Sequence, residues 1–223
     1  MQSALLVVLL LLAFGLSWVA EVKLRKKLLT QLLTFQKNGD QKRYFQLLKS
    51  PVAVVCLSAK AREFLSLDYY LAYEDYDQVC HIVAHLTEKP VDLTKEKEQD
   101  LLIRLMRCYL FYLDSNHSNK AIELEEYLLN NCKLPEVRAE VQELHQVYLA
   151  PDREVLAKLK EQLDTAEEPQ QQLIIYQRLV KVTEELGLKK QAKEYLEKMR
   201  ELAQTTIKME EFKDDKTNND GTH

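Results

Sequence analysis

Residues 176–199 read YQRLVKVTEELGLKKQAKEYLEKM. Tyr176, Leu179, Val180 and Thr183 recur at helical spacing, so they share one face of an α-helix. Gly187 then stands where a helix ends through a left-handed residue. Ala192, Tyr195, Leu196 and Met199 resume the same period. The segment therefore reads as two amphipathic helices joined by one tight turn.

Four glycines and five prolines in 223 residues are too few turn formers for a β-protein, and the apolar residues keep helical spacing throughout. The fold class is all-α. Breaks fall at Asn38-Gly39-Asp40, Ser50-Pro51, Glu74-Asp75, Pro90, Ser115-Asn116-His117-Ser118, Pro135, Pro151-Asp152, Pro169 and Gly187. Proline suits a first helical turn, glycine follows a last one, and Ser or Asp caps a start. These nine boundaries predict about ten helices. Every second start lies near Asp40, Asp75, Ser118, Asp152 and Leu188, at intervals of 35, 43, 34 and 36 residues. Three of the four intervals agree, and the long one predicts an extended unit or a slip in register between residues 55 and 115.

A period near 34 residues with two helices per unit resembles the tetratricopeptide repeat. The segment from Tyr176 to Met199 follows its pattern: a large residue, small or apolar ones, a turn glycine, then Ala192 where paired helices touch. Leu105, Cys108, Tyr109, Tyr112, Ala121 and Leu128 form a second match. Tyr70, Asp75-Tyr76-Asp77, Val79, Val83 and Leu86 form a third, in which Glu63 and Ser66 depart from the pattern at apolar positions. The likeness covers residues 25–209. It implies an α-solenoid of about five tetratricopeptide-like helix pairs, a curved superhelix whose inner surface, lined by the first helix of each pair, holds an extended peptide or a partner helix. Membrane-anchored proteins of this type, in bacteria and mitochondria, act as assembly factors or receptors. One bacterial group carries a terminal zinc module on paired C-x-x-C motifs, which this chain lacks.

Seventeen residues from Ala4 to Ala20 carry no charge, and Lys23, Arg25, Lys26 and Lys27 follow at once. A helix of that length spans about 25 Å, close to the roughly 30 Å of a bilayer's hydrocarbon layer, with Trp18 and the basic flank at its edge. A cleavable export signal would open on positive charge and end on small residues, whereas only Gln2 and Ser3 precede this run and Trp18 lies near its end. The expectation is one transmembrane helix at 1–22, a basic juxtamembrane hairpin at 23–50, a repeat domain at 51–209 and a disordered tail at 210–223. Positive charge behind the anchor predicts an outward N-terminus and a cytoplasmic C-terminal domain. The alternative is an exported or surface-tethered domain of reversed topology. Cys56, Cys80, Cys108 and Cys132 lie in or at the ends of apolar runs, as buried thiols do, although an even number also permits two disulfides. Ala13 and Ser17 flank Gly15 as a small-xxx-small pair suited to weak self-association of the anchor.

Charge divides the chain. Residues 21–62 hold ten Lys/Arg against Glu21 and Asp40, a net of +8, and with −4 overall residues 63–223 carry −12. Lys23, Arg25, Lys26 and Lys27 are placed to meet an anionic leaflet, where each basic residue gains about 1 kcal/mol. The acidic remainder is repelled from that surface.

The chain contains no glycine-rich phosphate loop, no dinucleotide fingerprint and no strained elbow for a nucleophile, and no enzymatic, cofactor or nucleic-acid function is expected. Asp77, His81 and His85 share a helical stripe with the four-residue step that two metal-bound imidazoles need, but without the Glu of H-E-x-x-H. They define a metal-binding alternative. Leu101 to Leu113, LLIRLMRCYLFYL, is apolar on every side except at Arg104 and Arg107. Such a helix is expected to be covered all round, its two guanidiniums either paired to acids or open to a partner's carboxylate. Tyr69, Tyr70, Tyr73 and Tyr76 stand among Asp68, Glu74, Asp75 and Asp77, an amphipathic, acidic setting for a basic ligand in which some of the tyrosines pack the core. Tyr69, Tyr73, Arg104 and Arg107 are the candidate partner contacts. The expectation is a single-pass, bacterial-type scaffold that binds a protein or peptide at the membrane.

Overall fold

The computed structural model describes the backbone of residues 2–219 and the side chains of residue 19 and residues 21–205. Among these lie eleven α-helices, one 3-10 turn at Glu96–Glu98, and no strand. The helices are α1 (Gln2–Lys37), α2 (Gln41–Leu48), α3 (Pro51–Cys56), α4 (Ala59–Ala72), α5 (Tyr76–Leu86), α6 (Gln99–Asp114), α7 (Ser118–Asn131), α8 (Pro135–Tyr148), α9 (Arg153–Thr165), α10 (Pro169–Glu185) and α11 (Lys189–Asn219). Among the described residues no helix is long and apolar enough to cross a membrane. The side chains of the expected anchor, residues 1–22, lie outside the described ones except at positions 19, 21 and 22, as do those of the expected tail, 210–223.

Each of the nine expected breaks falls between helices or opens one. Asp40, Ser50, Asp75 and Asp152 accept hydrogen bonds from the N–H groups of Arg43, Ala53, Gln78 and Val155, satisfying donors that a helix start leaves free. Pro51, Pro135 and Pro169 stand at first helical positions. A tenth break, at Leu57-Ser58, is capped by Ser58 on the Ala61 N–H. Residues 40–74 therefore hold three helices, α2, α3 and α4, where the repeat reading expects a pair. The 43-residue interval also has a local cause: a twelve-residue connection, 87–98, between α5 and α6.

Four hairpins close in the same way. Gly39, Glu74, Asn116 and Gly187 each take positive φ, between 54° and 71°. In each turn the next residue donates back across the helix end: Asp40 to Phe35 at 2.9 Å, Asp75 to Tyr70 at 3.0 Å, His117 to Tyr112 at 2.9 Å and Leu188 to Thr183 at 2.8 Å. This is the Schellman exit, in which one left-handed residue lets the last carbonyls find donors.

The chain forms two compact units, residues 1–91 with 97–108, and residues 92–96 with 109–223. In the first, Leu28 and Leu32 of α1, Tyr44 and Leu48 of α2, Ala53 and Cys56 of α3 and Tyr69 of α4 form one buried cluster. Tyr44 donates to the Leu65 carbonyl at 2.8 Å, which satisfies its hydroxyl inside that core. In the second, Val147 of α8, Val155, Leu156 and Leu159 of α9, and Ile175, Leu179 and Val182 of α10 form a buried cluster, with Tyr195 of α11 against it. Ala192 is buried, as a small residue at a helix contact should be. Within α6, Ile103 and Arg107 are exposed, so this helix is not covered all round. All four cysteines are free, with Cys56, Cys108 and Cys132 buried.

The left-handed turns make a paired prediction. No atom lies within 4 Å of a Cβ built at Gly187, so Gly187→Ala costs only the backbone strain of an L-residue at positive φ, about 1–2 kcal/mol. Glu74→Gly removes the same strain and raises stability by up to about 1 kcal/mol. Urea unfolding followed by circular dichroism measures both, and shifts of the same sign in the two variants exclude the strain account.

Candidate functional site

The four expected partner contacts gather around the second half of α4, in the first unit. Asp68 is the hub. Arg104 Nη2 and Nε reach its Oδ2 at 2.8 and 3.2 Å, and Arg107 Nη1 reaches its Oδ1 at 2.7 Å. Arg104 also lies over the Phe64 ring, 4.5 Å from its centre, and donates to the Asp100 carbonyl. The charges on α6 that the sequence leaves either paired or open are thus paired to an acid on α4.

The tyrosines divide. Tyr69 is 2% exposed, packed on Tyr44 with ring centres 4.5 Å apart, and burial, then the neighbouring Tyr73 and Asp40, raise its pKa. Tyr73 is 45% exposed, stacks on Tyr69 and donates its hydroxyl to the Gln36 carbonyl. Of the candidate set, only Tyr73 and Arg107 keep an open surface.

The basic neck is exposed at Lys23, Lys26 and Lys27. Arg25 has a more specific contact, its Nε and Nη2 donating to the Cys56 carbonyl at 3.0 and 2.8 Å. A guanidinium there satisfies a last-turn carbonyl and meets the negative end of the α3 dipole.

The metal stripe is not completed. Asp77, His81 and His85 lie on the exposed side of α5, and His85 Nδ1 contacts Glu63 of α4. Among the described residues no three His, Cys, Asp or Glu side chains are grouped to hold a metal ion.

The second unit has a cleft that the sequence does not announce, about 440 Å³, bordered by Glu140, Glu143, Gln162, Ile174, Ile175 and Arg178. Arg178, whose side chain is 12% exposed, binds Glu140 at 2.5 Å and also Glu143. Glu143 further accepts from Gln162 at 3.1 Å and Lys158 at 3.3 Å. Burial opposes ionisation of Glu143, but the Gln162 amide and the charges of Arg178 and Lys158 together outweigh it and lower its pKa. The Gln162 amide oxygen is buried and accepts no hydrogen bond from the protein. Ile174 is half exposed at the rim. Apolar and anionic surface thus meet on α8, α9 and α10.

Elsewhere in this unit Tyr109 donates to Glu125 at 2.9 Å and His145 Nδ1 contacts the same carboxylate at 2.8 Å, joining α6, α7 and α8. Burial, then Glu125, raises the Tyr109 pKa. Compared with family profiles, curated proteins and solved structures, the chain matches none.

Two consequences are measurable. Asp68→Ala leaves two guanidiniums without their carboxylate and costs about 1–3 kcal/mol, read by urea unfolding, whereas Arg107→Ala, at an exposed pair, costs under about 1 kcal/mol. For Glu143, a folded-state pKa below the unfolded one means stability fully present above the ordinary carboxylate value and lost as pH falls through the folded value. Glu143→Gln should therefore flatten the acid limb of the stability profile, and an unchanged limb excludes Glu143 as a contributor.

Proposed function

We propose that the chain is a membrane-anchored helical adaptor whose acidic helical array captures a protein or peptide segment at the cytoplasmic face. The observation that carries the anchor is the course of α1. Residues 21–27 of this helix are all exposed, and among the residues whose side chains are described the first buried one is Leu28. The uncharged run from Ala4 to Ala20 belongs to the same helix. A helix that leaves its domain in this way, through a basic collar, is built to continue into another medium. Four free cysteines fit a reducing compartment, and so agree with the topology expected from the basic flank.

The repeat architecture belongs to the same reading. The ion pairs from Asp68 to Arg104 and from Glu140 and Glu143 to Arg178 join residues 36, 38 and 35 apart. In both units they connect alternate helices, α4 with α6 and α8 with α10, one repeat length on. Stacked tetratricopeptide-like pairs bring their first helices together in that manner, and the cleft beside Arg178 is lined in part by two of them. Its exposed Ile174 and the partly exposed Glu140 carboxylate suit a segment with an apolar side chain beside a basic one.

The test is capture from detergent-solubilised membranes with the full-length chain, a chain lacking residues 1–20, and Ile174→Glu. The full-length protein is expected in the membrane fraction and the shortened one in the aqueous fraction. Ile174→Glu should weaken retention of the captured segment roughly tenfold or more, the scale of a central interface residue. A full-length chain found free after gentle lysis removes the anchor, and unaltered capture by Ile174→Glu removes the cleft.

A further inference from the structure

The short helix α3, PVAVVC, turns only Ala53 and Cys56 inward. Val52, Val54 and Val55 face out, and Val55 is 81% exposed. Valine is a weak helix former, its branched side chain losing freedom in the helix, so three outward valines neither favour the helix nor aid solubility. A helix bathed in water carries polar residues on its open face. Isolated exposed apolar residues need no explanation, but here the whole outer face of an element is apolar.

Its position supplies the reason. Arg25 grips the Cys56 carbonyl with two nitrogens, fixing the end of α3 against α1. Arg25 lies five residues beyond Ala20, about 7.5 Å along the helix axis, and helical side chains lean toward the N-terminus. The end of α3 therefore stands beside the turn that carries exposed Val22, immediately next to the uncharged run. Exposed Lys23, Lys26 and Lys27 are spread round α1 at this level, Lys23 and Lys27 on the side away from Arg25, and exposed Lys49 stands just before α3. Two copies meeting face to face here would bring those lysines together, whereas an anionic lipid surface complements them.

We infer that α3 is a second membrane contact, an apolar wedge with a cationic rim that enters the interface of an anionic bilayer beside the anchoring helix. The inference rests on the anchor reading above. Arg25 is then a positioning residue, which holds the wedge level with the membrane rather than binding lipid headgroups.

The chain has a single tryptophan, Trp18, which allows the two ideas to be separated. The full-length wild type and a full-length Trp18→Phe/Val55→Trp variant are reconstituted into vesicles of phosphatidylcholine with phosphatidylglycerol, with or without brominated acyl chains. Bromine quenches an indole only at close range. The expected result is quenching of Trp18 in the wild type and comparable quenching, with a blue shift, of the indole placed by Val55→Trp. Adding Arg25→Ala to the variant should reduce that second signal. A quenched Trp18 with a water-like, unquenched indole at position 55 overturns the α3 contact while leaving the anchor standing. An unquenched Trp18 overturns the anchor itself. A blue shift that depends on protein concentration and ignores brominated lipid shows a second copy on this face and also overturns the inference. Val55 is exposed, so the replacement has room, and native-like circular dichroism of the variant confirms its fold.

Discussion

A helix that must double back within three residues has to satisfy its last carbonyls while reversing direction, and one residue at positive φ does both. That requirement is met four times here, at Gly39, Glu74, Asn116 and Gly187. It fixes where α2, α5, α7 and α11 begin. Turns this short set the successive helices side by side, and the ion pairs then join alternate helices. Glu74 and Asn116 hold the geometry without glycine, at a cost in backbone strain that the surrounding packing must offset.

The same chemistry explains what the sequence discloses and what it conceals. Proline, glycine and the capping residues mark nine of the ten breaks because each acts on its own few residues. Ser58 is the exception. It follows AVVCL without proline or glycine, and a serine in such a run reads as an ordinary helical residue until its bond to the Ala61 N–H is seen. The error spreads, since it makes a three-helix segment look like a pair. The partners of Arg104 and Arg107 are hidden for another reason: Asp68 lies more than thirty residues away, and no local pattern specifies which acid a guanidinium will find. The cleft is hidden likewise, because Glu140 and Glu143 look like solvated helix charges until Arg178 is placed between them.

Electrostatic roles separate along the chain in a way the fold makes concrete. In the first unit, Arg25 secures the end of α3, and exposed Lys23, Lys26 and Lys27 stand along the same stretch of α1. In the second, acids predominate and a single guanidinium holds two of them together. The exposed lysines of α1 and the paired acids of α8 are thus set more than a hundred residues apart in the sequence.

The connection between α5 and α6 bears on how the molecule can be dissected. Leu93, fully buried, sits in a five-residue stretch that belongs to the second unit, and its N–H donates to the Asn131 carbonyl at 3.0 Å. The residues on either side of that stretch belong to the first. The polypeptide therefore passes from one body to the other three times, the last time in mid-helix, so no single scission yields both halves intact. A fragment starting at Tyr109 would lack the leucine that fills its core, and its poor solubility would report a missing plug rather than an absent partner.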